Sequence, residues 1–256
     1  IKAYATNSSG TSFGEEISFT TGQNSNCESV ADIEGNIYYT VKIGEQTWLS
    51  ENLRSTKFSD GTAIPNITGN AEWNALVTPG YCWYNNDSAS HQGTYGILYN
   101  WHTVNTGNLC PTGWRVPTYD EWTMLTDHLG GLTVAGGKLK ETSTTHWNSP
   151  NTGATDEAGL TALPGGLRRT SGAFYGKGST GTWWSSTEGQ YDMSLARNLT
   201  LNSSSSSAYF RSDGKNQGSS VRCIKDTLST GPESFLNINE DEFDLVEGIL
   251  ANYGDF

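Results

Sequence analysis

Four cysteines, Cys27, Cys82, Cys110 and Cys223, are the side chains best able to do covalent chemistry. An even number admits two disulfides in an oxidising compartment, and four cysteines can pair in three ways. There is no CxxC pair, and no Cys/His cluster has zinc-ligand spacing. His91, His102, His128 and His146 are scattered. Ser185, Ser186 and the Ser203–Ser207 run lack the G-x-S-x-G context of an activated nucleophile. Asp156, Glu157 and Glu188 are the loop carboxylates that would give oxygens to a structural calcium ion. The remaining chemistry is aromatic. Phe174, Tyr175, Trp183, Trp184, Tyr209 and Phe210 gather in the C-terminal half among Gly and Ser. Such rings stack on the apolar faces of sugars and anchor protein interfaces. With Arg197, Asn198 and Arg211 nearby in sequence, the residues Tyr175, Trp183, Trp184 and Tyr209 complete a candidate ligand-binding set.

The elements that must position this set follow from pattern. Trp183–Ser186, Leu195–Leu201, Ala208–Arg211 and Ser219–Lys225 look like strands. Alternation places one of Trp183 and Trp184 inward and the other outward. On the next strand Leu199 and Leu201 point inward, and Arg197, Asn198, Thr200, Asn202 and the serine run make a polar face. Upstream, Ile37–Ile43 and Gln46–Leu49 flank a Gly44-Glu45 turn. Thr118 and Glu121 have capping-box spacing, and Trp122, Leu125 and Leu129 share one face of the helix they open. Gly130-Gly131 ends it. Ile97–Val104 reads as a short helix, and residues 55–95 and 132–180 as irregular loops. Helices early and strands late give α+β rather than alternating βαβ.

Composition narrows the partners. The 256 residues carry 27 acids and 15 Lys plus Arg, a net charge of −12. Nucleic acid is excluded, because its phosphates demand Lys and Arg. No apolar run approaches the ~20 residues of a bilayer span. Residues 227–256 hold seven of the acids and no base, a separate compositional unit. There Phe243, Val246, Leu250 and Tyr253 form an apolar stripe at helical spacing, with Asn239 as cap. This acidic tail is expected to be an amphipathic helix suited to a partner protein with a basic, apolar-lined groove. Asp87-Ser88-Ala89 and Asp226-Thr227-Leu228 resemble bacterial O-glycosylation acceptors, which makes Ser88 and Thr227 candidate modification sites.

Residues 1–20 read as two strands around an Asn7–Gly10 turn and resemble the last two strands of a fibronectin type III-like module, as in a fragment of a larger protein. Residues 21–29 are polar linker. From residue 30 the texture changes. DIEGNIYYTVKIGEQTWLSENLR (32–54), LCPTGWRVPTYDEWTMLTDHLGG (109–131), AGGKLKET (135–142), WWSST (183–187) and SVRCIKD (220–226) follow in order. Together they resemble the Fibrobacter succinogenes major paralogous domain over residues 30–226. The resemblance implies a C-type lectin-like fold near the formylglycine-generating branch, with two helices, a small twisted antiparallel sheet and long irregular loops. It implies that Cys110 pairs with Cys223, and with it Cys27 with Cys82. Enzymes of that branch use two redox cysteines in the C-terminal part, where this chain has Cys223 alone, so no catalysis is expected. The function implied is a non-catalytic binding or adhesion module, extracellular or at the cell surface. Its partner would be a glycan or a surface protein, alongside upstream repeats of the same chain. The alternative is a structural display or assembly module whose acidic tail docks to a partner.

Overall fold

The computed structural model describes residues 4–7, 10–13 and 28–226. β1 (Tyr4–Asn7) and β2 (Gly10–Phe13) form an antiparallel hairpin. The body runs β3 (Ser29–Ala31), β4 (Ile37–Ile43), β5 (Gln46–Leu49), α1 (Asn70–Asn74), β6 (Tyr81–Cys82), α2 (Ser88–Tyr95), β7 (Leu98–Tyr99) and α3 (Trp101–Val104). β8 (Trp114–Arg115) leads into α4 (Tyr119–His128) and α5 (Leu132–Leu139). Then come β9 (Leu167–Arg168), β10 (Phe174–Tyr175), β11 (Thr180–Glu188), β12 (Leu195–Asn202), β13 (Ala208–Gly214) and β14 (Ile224–Lys225). A five-stranded sheet has the order β3-β4-β5-β14-β8, and a three-stranded sheet the order β11-β12-β13, both antiparallel.

The class is mixed α+β, mostly strand. The expectation of two helices is corrected to five among the described residues, all short. α5 was hidden by Gly136 and Gly137, poor helix formers that this packing needs. A Cβ on Gly136 would collide with the Ser207 carbonyl, and one on Gly137 with the Gly153 carbonyl. α2 was hidden because its sequence, SASHQGTY, has no apolar stripe. The helix expected over Ile97–Val104 is β7 followed by one turn of α3. The hairpin closes at the expected Asn7–Gly10 position with its second strand at Gly10–Phe13 rather than at the expected residues 16–20, which lie, with Cys27, Thr227 and the tail residues Phe243, Val246, Leu250 and Tyr253, outside the described residues.

α4 forms as its sequence directs. The Thr118 hydroxyl accepts from the Glu121 N–H at 3.2 Å, and the Glu121 carboxylate accepts from the Thr118 N–H at 2.8 Å. Glu121 also receives the Arg115 guanidinium, which ties β8 to the helix it precedes. Trp122, Leu125 and Leu129 are buried while Met124 stays exposed. They pack with Trp48, Trp147, Trp183, Leu199 and Leu201 in one core. A second core gathers Tyr38, Leu49, Tyr99, Trp101, Trp184 and Val221. β11 divides the two.

The Cys110–Cys223 disulfide lies in the second core and joins the segment before β8 to the segment before β14, strands that are themselves paired. It closes a sequence separation of 113 residues. A loop of that length restricts the unfolded chain by roughly 4–5 kcal/mol in the entropy model. The expected Cys27–Cys82 bridge is corrected: Cys82 is a free thiol. It is fully buried with Ile67, Trp73 and Leu98. Burial pushes its pKa up to about 12, against the pull of the Arg168 guanidinium. Burial thus keeps the reactive thiolate scarce near neutral pH. Iodoacetamide is expected to leave the Cys82 peptide unlabelled in the native protein and to label it fully in 6 M guanidinium. Rapid native labelling, read by peptide mass spectrometry, would contradict this packing.

Long loops leave many carbonyls without strand or helix partners, and three buried cations collect them. Lys140 Nζ donates to Thr152 O, Asn202 O and Ser205 O at 2.9–3.0 Å. Arg168 donates to Gly172 O, Ile67 O and Thr68 O and lies between the Trp73 and Phe174 rings. Arg222 donates to Ser50 O, Leu160 O and Asn52 Oδ1. None of the three has a carboxylate in ion-pair contact among the described residues.

Candidate functional site

The sheet β11-β12-β13 has two unlike faces. Register pairs Trp183 with Leu199 and Leu199 with Phe210, and this face packs on α4 and α5. The opposite face carries Trp184, Thr182 and Thr180 on β11, with Asn198, Thr200 and Asn202 opposite them. Its apolar end, Trp184 with Ala196, belongs to the second core. Past Trp184 the same face turns to hydroxyl and amide groups and opens into a groove of about 520 Å³.

Thr180, Thr182, Thr200 and Asn202 form the groove floor, and Tyr175 and Arg169 come from the β9–β10 hairpin beside it. Arg211, Asp213 and Gln217 bound the other side. The floor is linked laterally. Thr180 donates to Asn202 Oδ1 at 3.3 Å, and Thr200 donates to Asn198 Oδ1 at 3.1 Å. Thr182 and Thr200 are 1% and 4% exposed, so these hydroxyls are core positions filled with polar groups. The Arg169 guanidinium lies 4.2 Å from the Tyr175 ring centroid, and Tyr175 is half exposed. Asp213 Oδ2 accepts from Asn198 Nδ2 at 2.8 Å and from Gln217 Nε2 at 3.3 Å.

Of the seven candidate ligand residues, Tyr175 and Arg211 line this groove. Tyr209 is exposed and sits on the same face, opposite Thr200, with its hydroxyl 2.9 Å from Ser205 Oγ. The other four are corrected. Trp183 and Trp184 are both buried, because β11 has a core on each side and alternation sends each ring into one of them. Asn198 is buried and held by Asp213 and Thr200. Arg197 has the parity of Leu199 and so lies on the opposite face, stacked 3.8 Å from the Tyr119 ring centroid. The sequence reading did not single out Arg169, Thr180 or Thr182. The Thr-x-Thr alternation directly before Trp184 was the available signal: it marks a strand face that changes from apolar to hydroxyl.

The calcium candidates do not converge. Asp156 accepts from the Thr161 N–H and hydroxyl, Glu157 pairs with Lys138, and Glu188 pairs with Lys215. No group of three or more metal-ligating side chains occurs among the described residues. At the candidate modification site, Asp87 is the N-cap of α2, accepting from the Ser90 N–H, and Ser88 is the first helical residue. The Asp-Ser pair thus has a structural task of its own.

The order of motifs, the capped α4 and the closing disulfide delimit a family unit. The model of the Fibrobacter succinogenes major domain matches residues 41–225. The chain belongs to this family. Comparison with curated proteins and with solved structures finds no match. The major-domain segment contains the whole groove, the first core, the second core except Tyr38, and Cys110 and Cys223. It also contains Lys140, Arg168 and Arg222; within AGGKLKET and SVRCIKD, Lys140 and Arg222 clamp buried carbonyls while Lys138 and Lys225 form surface ion pairs. No helix among the described residues is long and apolar enough to cross a membrane.

Proposed function

We propose that this major domain is a non-catalytic binding module, extracellular or at the cell surface, whose ligand is a glycan held in the groove over β11, β12 and β13. The observation that carries the proposal is the hydroxyl floor. A sheet face that could have continued the apolar core instead places the buried hydroxyls of Thr180, Thr182 and Thr200 beneath an open groove, whose accessible lining includes Thr170, Asn202, Ser212 and the half-exposed Tyr175. Hydroxyl-rich ligands match such a lining, and an aromatic ring offers their C–H faces a platform. The disulfide supports an oxidising compartment. The finer assignments, a C-type lectin-like fold and a preceding fibronectin type III-like module, belong to the same proposal and rest on the sequence resemblance.

Tyr175→Ala is expected to weaken glycan binding about tenfold, the worth of one stacked ring, with the melting temperature unchanged. A glycan array followed by titration of the best ligand checks it. An array silent at high protein concentration, or affinity untouched by Tyr175→Ala, would count against the groove.

A further inference from the structure

The cations of the described residues fall into groups. Lys42, Arg115, Lys138, Lys215 and Lys225 pair with carboxylates. Lys140, Arg168 and Arg222 are buried against carbonyls. Arg54, Lys57, Arg169, Lys177, Arg197 and Arg211 belong to neither group, and of these only Arg169 and Arg211 line the groove over β11, β12 and β13. Both are exposed, and neither has a carboxylate within ion-pair distance among the described residues. The groove's own acid, Asp213, already receives two side-chain amides. A chain with 27 acids and 15 bases therefore presents, at its hydroxyl-floored groove, two guanidinium groups against one engaged carboxylate.

Unpaired guanidinium groups at a binding groove have a chemical complement. Their planar fork matches a carboxylate with two parallel N–H···O bonds, a geometry that lysine does not offer. The Thr170 hydroxyl, the Asn202 amide and the Tyr175 ring on the groove lining match the remainder of a sugar. We propose that the groove selects an acidic saccharide of the uronate type, with its carboxylate taken by Arg169 or Arg211. This rests on the glycan reading above and adds the charge of the ligand to it.

The test uses the full chain and three probes, oligomers of galacturonate, glucuronate and mannuronate, each paired with its fully methyl-esterified form. Calorimetry is run at 50 mM and 300 mM salt. At least one acid form is expected to bind ten or more times more tightly than its ester at low salt, with the ratio shrinking at high salt. Arg169→Gln and Arg211→Gln, both at exposed positions, are expected to lower acid-form affinity several-fold and ester affinity less, so that the acid-to-ester ratio falls while the melting temperature stays unchanged. Equal binding of acids and esters would overturn the uronate inference and leave the glycan groove standing. Displacement by dextran sulfate as effective as by the uronate would also overturn it, since general attraction of polyanions would then suffice. Failure of all three pairs overturns the inference, and a silent neutral array beside it removes the groove reading as well.

Discussion

Lys140→Met should lower the melting temperature by about 10 °C. Lys140 is the last polar residue of the AGGKLK segment and has no exposed surface. Its ammonium is the meeting point of three chain segments, the carbonyls of Thr152, Asn202 and Ser205. The Trp147 ring lies 5.3 Å from Nζ. Burial pulls its pKa down to about 8, so below that pH the charged form is held in place against desolvation by those three acceptors. Methionine keeps most of the volume and removes every donor. Each buried carbonyl left without a partner costs about 1–3 kcal/mol, and partial relaxation brings the total to about 3–5 kcal/mol. A domain of about 200 residues loses ~2–4 °C per kcal/mol. The neighbouring Glu157→Gln, on an exposed ion pair, should change the melting temperature by no more than a degree or two. Thermal unfolding of the two variants by circular dichroism decides it. Equal melting temperatures for Lys140→Met and Glu157→Gln would show that the loops around α5 are held by something other than the lysine.

That example shows where sequence pattern stops. Local signals were legible: Thr118 and Glu121 capped a helix as their spacing required, and the parity of Leu199 and Leu201 gave the buried face of β12. The groove was legible in part, through Tyr175 and Arg211. What could not be read was the destination of a polar side chain whose partners are carbonyls of distant loops. Lys140, Arg168 and Arg222 look like ordinary surface cations, because their acceptors are backbone groups that every residue carries. Arg197 was placed on the polar face by its chemistry, whereas its register follows from geometry alone and puts it beside Tyr119. The hydroxyl floor needed both kinds of knowledge, the alternation along β11 and the placement of buried hydroxyls rather than apolar side chains beneath the groove.

The last expectation separates a ring that binds from a ring that folds. Trp184→Ala should remove about 3–5 kcal/mol of stability, a large part of the ~5–15 kcal/mol that holds a domain together. Trp184 is fully buried, packs among Tyr38, Tyr99 and Trp101, and donates its indole N–H to Tyr99 O at 2.8 Å. Its own carbonyl accepts from Trp122 Nε1, a residue of the other core. Deleting the ring therefore opens a cavity on one side of β11 and loosens the strand that also carries Trp183. Trp183→Phe should be milder, about 1–3 kcal/mol, because it keeps an aromatic ring and loses one bond, from Nε1 to Asn52 Oδ1 at 2.8 Å. Asn52 Oδ1 still accepts from Arg222 Nη2 at 3.0 Å, so that oxygen is not orphaned. Urea denaturation measures both. If Trp184→Ala keeps the wild-type midpoint while glycan binding disappears, the ring acts at the ligand and the two-core account of β11 is wrong. The structure leads to the opposite pattern: Trp184→Ala binds poorly in proportion to the fraction unfolded, whereas Tyr175→Ala binds poorly with its fold intact.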